Sequence, residues 1–407
     1  MSILSIDPAF TMIYSTLHRR INFRNRKGDE WNVDLQPIEQ QQQQQNEKED
    51  YFTYLSNLLS QYQLEEQQQG QKEEFCGGLI GYFGYEMKRE SLSGYATPNE
   101  QQCQHHPDDN SCQCMREPDA GFQFIDRFWK FDHLTYTMEA CCLIKTSSND
   151  HDREHHHHST DDVGFNTEQQ AHDWLDQAVN LVTKATTTPK DTVPMETTTT
   201  TTAPLTRPNT IREVDQDTLF TPDMQHEKYV HAIDRCIHEI GEGESYELCL
   251  TTRFHCSQHL DKQADLTYLY THYLRKNNPA PYSALLQFPM CRMTLLSSSP
   301  ERFLSVSKKG VAEMKPIKGT IGRILACTCK NHHDCDGLCW VTHDEQQKQS
   351  LWQDVKERAE NLMVCSSFVY IYIYIYIYFL RTITLCSLYI DFFFCVCLLG
   401  DCTTFSC

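Results

Sequence analysis

Met314-Lys-Pro-Ile-Lys-Gly-Thr320 is the stretch on which the reading of this sequence turns. Proline fixes its own φ and glycine opens conformations closed to other residues, so Lys318 is expected on a turn beside Gly319, just after a short strand over 311–315. Four more segments accompany it. Ser245-Tyr-Glu-Leu-Cys-Leu-Thr-Thr252 follows a helix, and Asn278-Pro-Ala-Pro-Tyr-Ser-Ala284 is a kinked entry into a strand. Ser297-Ser-Ser-Pro-Glu-Arg-Phe303 puts an acid, Glu301, on a strand-entry turn, and Lys356-Glu-Arg-Ala-Glu-Asn-Leu-Met363 puts Glu360 on a helix. Taken singly, each has an ordinary explanation. A turn glutamate and a lone lysine are usually solvated, and Glu360 stands four residues after Lys356, where a surface ion pair is the default.

Working outward, the 407 residues are enough for two or three domains. The net charge of −19 repels phosphate backbones and no basic stripe offsets it, so a nucleic-acid groove is excluded. A small anionic substrate is still allowed, because one pocket can be locally positive or hold a metal. Met1-Ser-Ile-Leu-Ser-Ile-Asp7 has no basic start and no apolar run, so secretion is not expected. The twenty cysteines are then expected to be mostly free thiols of a cytoplasmic protein.

Alternation in Thr11–Ser15 and Arg20–Phe23 predicts strands over 1–36. Apolar residues at Tyr51, Tyr54, Leu55, Leu58, Leu59 and Tyr62 predict a helix over 47–66. The glycine-rich run Gly77–Gly84 lacks a phosphate-loop Gly-Lys-Ser/Thr and reads as close strand packing. Strands are expected at Gly121–Phe128 and Tyr136–Ile144, and a helix over 167–184. Gln40–Gln45, His155–His158 and Thr186–Thr202 are polar tracts that cannot pack. The domain expectation is residues 1–184, a Thr/Pro linker over 185–224, a domain over 225–363, and an apolar tail over 364–407. In the third region Lys228–Ile240 predicts an amphipathic helix with apolar positions at 229, 230, 233, 237 and 240, ended at Gly241. Strands follow at 245–252, 282–288, 293–297, 302–306 and 311–315, with a helix over 344–363. Cys327-Thr-Cys-Lys-Asn-His-His-Asp-Cys335 and Cys339 do not have a zinc-site spacing and read as an insertion.

The five segments, in this order, resemble the chorismate-binding family, which includes anthranilate, aminodeoxychorismate, isochorismate and salicylate synthases. Gly77–Glu86, Pro118–Ala120 and Phe131–His133 resemble the N-terminal domain of the same enzymes. The resemblance implies an α+β fold, with antiparallel sheets packed in a core and helices outside. It implies chorismate as substrate, a dicarboxylate whose C4 hydroxyl leaves only when protonated. Glu301 would be the general acid/base at that hydroxyl, and Lys318 would attack C2 as a neutral amine. Gly319 and Thr320 would contact substrate, and Glu360 would be a ligand of Mg²⁺. The Pro-Ile-Lys-Gly-Thr wording resembles the aminodeoxychorismate synthases, transferases feeding 4-aminobenzoate and folate. Anthranilate synthases usually have alanine at Lys318. Pro279, Ala280, Pro281 and Tyr282 lie where anthranilate synthases line a tryptophan pocket, and a core strand is the competing reading. Ammonia would come from a glutamine amidotransferase domain or subunit.

After Met363 the resemblance ends. The histidine, the carboxylate-gripping arginine and lysine, and the second metal glutamate of the family are not found. Phe368-Val-Tyr-Ile-Tyr-Ile-Tyr-Ile-Tyr-Ile-Tyr-Phe-Leu380 alternates with period two, which suits a strand and not a membrane-spanning helix, and a lone strand cannot satisfy its backbone in lipid. A TATATA repeat encodes Tyr-Ile, so the expectation is translation into an unspliced intron after Met363. In that case the chain would lack turnover. A membrane-anchored, non-catalytic relative of these enzymes is the other reading of the tail.

Overall fold

A computed structural model describes residues 1–35, 50–62, 75–91, 117–144, 166–187, 220–245, 247–256, 263–307, 311–315, 317, 319–324 and 339–362. Gln40–Gln45, His155–His158, Thr186–Thr202 in all but its first two residues, Lys318, Cys327, Cys329, Cys335 and the whole tail from Met363 lie outside the described residues.

Phe10-Thr-Met-Ile-Tyr-Ser15 (β2) is buried along its whole length, which follows from its place at the centre of a five-stranded antiparallel sheet. The order is β4-β3-β2-β6-β5, with β3 at Arg20–Asn25, β4 at Glu30–Asp34, β5 at Gly78–Phe83 and β6 at Ala120–Ile125. Met12 faces Phe23 on one side and Phe122 on the other. Phe10 stacks on Phe124 at 5.2 Å. Gly81 is required here, since a Cβ would meet the Gly121 carbonyl oxygen at 1.9 Å, as the close-packing reading of the Gly77–Gly84 run expects.

A second sheet, β1-β7-β8, joins Ser2–Leu4 (β1), Arg127–Asp132 (β7) and Thr137–Cys142 (β8). The chain changes sheets at Asp126, a fully buried carboxylate. It takes the Arg26 guanidinium at 2.5 Å and the Asn166 amide at 2.9 Å, so the buried charge is paired and hydrogen-bonded at the corner. The helix Glu168–Thr187 (α3) packs Trp174 against Trp129 at 5.3 Å. The first helix, Tyr51–Ser60 (α1), is shorter than the 47–66 expected, and Tyr51 stacks on Tyr14 at 4.2 Å. The short helix Lys88–Ser91 (α2) carries Glu90, which accepts from Tyr14 Oη at 2.7 Å and from Arg19 at 2.8 Å.

Beyond residue 220, His226–Gly241 (α4) forms as expected. It is flanked by a two-stranded ribbon of Phe220–Pro222 (β9) and Phe254–Cys256 (β10). The strand expected at 245–252 is not formed: strand geometry needs a ladder partner, and pairing begins only at Phe254, opposite Pro222. Gln263–Tyr268 (α5) continues through a π-helical turn, Leu269–Leu274, and a last turn, Arg275–Asn277, a helix the sequence reading did not place. Tyr282–Phe288 (β11) and Met293–Ser299 (β12) pair, then Arg302–Val306 (β13) and Ala312–Lys315 (β14) pair. Cys339–Gln353 (α6) and residues 355–362 (α7) replace the single helix expected over 344–363. The break is Asp354, whose carboxylate accepts the Glu357 N–H at 3.0 Å and so starts a new helix as its N-cap.

Packing divides the chain into two units. The first takes in residues 1–51 and 74–298, the second 52–73 and the described residues from 299 onward. Within the first, the β11–β12 hairpin packs on the N-terminal sheet, across the stretch 185–224 in sequence. Phe288, fully buried, joins Ile13, Tyr82 and Leu295, and the Gln123 amide donates to the Gln287 carbonyl at 2.8 Å. Among the described residues no helix is long and apolar enough to cross a membrane, and Cys142, Cys236, Cys249 and Cys291 are thiols outside any disulfide. Antiparallel sheets in a core with helices outside make the fold α+β.

Candidate active site

The second unit holds three of the five sequence segments. β12 ends at Ser299, and Pro300 turns the chain so that Glu301 precedes β13. The Ser299 hydroxyl donates to the Glu301 carbonyl at 3.2 Å and accepts the Glu301 N–H at 3.4 Å, a local turn bond typical of serine. β13 then pairs with β14, with an irregular register between Arg302 and Ser305. The Arg302 guanidinium lies 2.5 Å from the Glu313 carboxylate and holds its pKa below the usual range.

Leaving β14, the chain passes Ile317, whose backbone N–H donates to Glu301 Oε1 at 3.0 Å. The acid on one turn therefore holds the residue immediately before Lys318 on the other. Lys318 itself is outside the described residues. Gly319 follows with φ of +72°, a left-handed conformation that other residues adopt only under strain. A Cβ there would meet Glu357 Oε2 at 2.7 Å and Leu351 Cδ1 at 2.9 Å, so α6 and α7 press directly on this turn. Thr320 is exposed. Farther on, Asp344 of α6 accepts the Ile324 N–H at 2.9 Å and pairs with Arg323 at 2.6 Å. The Arg323 hydrogen bond holds the Asp344 carboxyl below its usual range.

Ile317 and the stretch 319–324 are thus fastened at Glu301, at α7 and at Asp344. Glu360 lies one turn beyond Glu357 on α7 and is paired with Lys356 at 3.7 Å, the ordinary i,i+4 contact. Glu357 was not singled out in the sequence, although its spacing of three from Asp354 is a capping signature that marks the start of α7. Among the described residues no three His, Cys, Asp or Glu side chains are grouped as a metal site. An open cavity of about 400 Å³ runs along α6 between Thr342 and Gln353 and contains none of the sequence-derived site residues.

In the first unit, Pro279 and Pro281 are exposed and Ala280 and Tyr282 half-buried. The Ser283 hydroxyl donates to the Ala280 carbonyl at 2.8 Å, and the Ser298 hydroxyl donates to the Asn278 carbonyl. The strand that follows carries the buried Phe288, so the segment enters a core strand.

The family model for chorismate binding enzymes matches residues 18–369. The chain belongs to the chorismate-binding enzyme family. The match begins in the N-terminal sheet and runs slightly past Met363, so it takes in all five segments. Aminodeoxychorismate synthase of Arabidopsis thaliana, which its name places in the chloroplast, is 31% identical over 292 residues, 72% of this chain and 25% of that one. The Streptomyces pristinaespiralis aminodeoxychorismate synthase is 31% identical over 72% of this chain and 31% of its own length. Anthranilate synthase component 1 of Mycolicibacterium smegmatis is also 31% identical, over only 34% of this chain. This member of the family therefore spans about a quarter to a third of the length of those aminodeoxychorismate synthases. In structure it overlays anthranilate synthase component I of Streptococcus pneumoniae with a TM-score of 0.51 and 18% identity, over 90% of this chain and 59% of that one, and shares its fold.

Proposed function

We propose that this chain supplies part of an aminodeoxychorismate synthase, converting chorismate and ammonia to 4-amino-4-deoxychorismate. The observation that carries the reading is the 3.0 Å hydrogen bond from Ile317 N–H to Glu301, which sets an acid beside the lysine-bearing turn. Chorismate must lose its C4 hydroxyl, and that displacement needs both an acid and a nucleophile.

Lys318, as a neutral amine, adds to C2. The ring double bonds shift and the C4–O bond breaks, Glu301 giving its proton so that water leaves. Ammonia then bonds to C4, the double bonds shift back, and the lysine nitrogen departs from C2. The turn at Gly319 and Thr320 contacts the substrate beside Lys318. Glu360 offers a hard carboxylate oxygen, which suits Mg²⁺, a cation that takes one or two protein carboxylates and keeps waters for the rest. With Glu360 holding it, that Mg²⁺ would neutralise substrate carboxylate charge. Ammonia is supplied by a glutamine amidotransferase domain or subunit, as the "component 1" in the names of the Salmonella and Escherichia coli relatives suggests.

Intact-mass analysis of the chain incubated with chorismate and Mg²⁺ tests the reading. The expected product is an adduct of chorismate less water, mapped to Lys318 and missing from Lys318→Ala. An equal adduct in Lys318→Ala, or none in the parent, overturns the covalent role. Anthranilate formed by Lys318→Ala with ammonia would place the chain beside the anthranilate synthases.

A further inference from the structure

Glu357 is a carboxylate held at the lysine-bearing turn without a partner of its own. Asp354 caps α7 through the Glu357 N–H at 3.0 Å, which fixes the first turn of the helix. The side chain then lies half-buried against Gly319, with Oε2 2.7 Å and Cδ 2.9 Å from where a Cβ would stand on that residue. Gly319 is bonded directly to Lys318. Other charged groups on the segments that form this turn or press on it are engaged. Glu301 accepts the Ile317 N–H, Asp344 pairs with Arg323, Glu313 with Arg302 and Lys315, and Glu360 with Lys356. Arg358, next along α7, is exposed. Among the described residues the Glu357 carboxylate has neither a hydrogen bond nor an ion pair. A carboxylate taken part-way out of water is normally given one, so its place at this turn calls for a function.

We propose, resting on the lysine chemistry above, that Glu357 is the proton partner of Lys318. A lysine in water carries an ammonium at neutral pH, and an ammonium has no electron pair with which to attack. Glu301 does not serve as the base, because its own proton goes to the departing C4 oxygen. Glu357 takes one proton from the Lys318 ammonium, the neutral nitrogen bonds to C2, and the C4–O bond breaks with the proton from Glu301. When the lysine nitrogen leaves C2 it recovers a proton from Glu357, so the carboxylate ends as it began. Before substrate binds, a neighbouring carboxylate favours the ammonium. Under bound substrate both charges lose water and the neutral pair is preferred, which moves the proton across.

Glu357→Gln keeps the size of the side chain at Gly319 and removes the base. Labelling of Lys318 by trace acetic anhydride, read by peptide mass spectrometry against the other lysines, needs no substrate. At neutral pH it should rise about tenfold in Glu357→Gln, because loss of a neighbouring negative charge frees the amine. The rate of chorismate adduct formation should instead fall about a hundredfold at neutral pH. It should then climb about tenfold per pH unit toward the ordinary lysine range, since the proton must go to water. Glu345→Gln, at an exposed ion pair of α6, should match the parent in both measurements. Unchanged labelling of Lys318 overturns the pairing, whatever chorismate does. So does an adduct rate in Glu357→Gln that equals the parent's, or that is lowered by the same factor at every pH, as a structural role alone would give. Raised labelling in a chain whose parent forms no adduct supports the pairing and overturns the lysine chemistry instead.

Discussion

The Glu301 carboxylate accepts the backbone N–H of Ile317 at 3.0 Å, joining the turn before β13 to the residue before Lys318. This bond and the proposed proton transfer use the same side chain, and two substitutions separate them. Glu301→Gln keeps an oxygen acceptor for Ile317 but has no proton to deliver. Glu301→Ala loses both. Ile317 is exposed and its N–H can turn to water, so the alanine variant is expected to lose only about 1 kcal/mol in urea unfolding, and the glutamine variant less. Turnover of chorismate, in whatever assembly supports it, should fall in both. A glutamine variant that turns over like the parent would remove Glu301 from the chemistry.

Gly319 carries two independent constraints, a positive φ and the approach of Glu357. Gly319→Ala should destabilise the second unit by about 1–3 kcal/mol, the range for a non-glycine residue held in an unfavourable backbone region. Part of this is steric and should be relieved by Glu357→Ala, leaving the φ contribution. A double-mutant cycle read by urea unfolding measures the coupling, and strict additivity would mean that the Glu357 contact contributes nothing.

Asp354 caps α7, the helix that presents Glu357 and Glu360. Asp354→Ala should cost about 1 kcal/mol, and Asp354→Asn or Asp354→Ser much less, because each retains a side-chain oxygen for the Glu357 N–H. Amide hydrogen exchange gives the local reading: the Glu357 amide should lose protection in the alanine variant and keep it in the other two.

Two aspartates should give opposite pH responses. Burial pushes the Asp119 carboxyl above its ordinary value of 3.8, against the opposing hydrogen bonds from Thr16. Its folded pKa exceeds its unfolded one, so its contribution is fully present below the unfolded value and is lost as pH rises through the folded one. Asp344 is depressed by Arg323, so its contribution is present above the unfolded value and is lost as pH falls through the folded one. Unfolding free energy followed across the acid range should therefore lose its falling component in Asp119→Asn and its rising component in Asp344→Asn. Parallel curves for parent and Asp119→Asn would show that Asp119 titrates alike in both states.

Local pattern made much of this fold legible. Alternation in Arg302–Val306 and Tyr282–Phe288 gives strands that the structure repeats, and the apolar spacing along Lys228–Ile240 gives α4. The helix from Gln263 onward is legible too, from Leu266, Leu269, Tyr270, Tyr273 and Leu274 at helical spacing. Ser245–Thr252 has the composition of a strand but meets no ladder, and a single strand's sequence does not contain its partner. The site divides in the same way. Glu301, Gly319 and Glu360 are singled out in the sequence by the order of the segments that hold them, because each residue type taken alone has an ordinary surface explanation. The pressing of Glu357 on Gly319 joins segments far apart in sequence, and no local signal encodes that contact.

The packing of Phe288 on the N-terminal sheet is the contact that most tests how the first unit coheres. Phe288 is fully buried, edge-on to Tyr82 at 5.6 Å, with Ile13 and Leu295 completing the cluster. Tyr82 is fixed in turn by its hydroxyl, which donates to the Pro118 carbonyl at 2.7 Å. Residues 185–224 separate Phe288 from Ile13 and Tyr82 in sequence, so a jointed chain would let β11–β12 and the five-stranded sheet unfold apart. With the cluster shared, Phe288→Ala should cost about 3–5 kcal/mol, the range for emptying a buried phenylalanine site. The loss should fall on both partners. Exchange protection should drop at Ile13 and Phe122 in the N-terminal sheet as well as at Leu286 in the hairpin, by similar factors. Loss confined to β11 and β12 would mean that the hairpin opens alone and that the N-terminal sheet is stable without it.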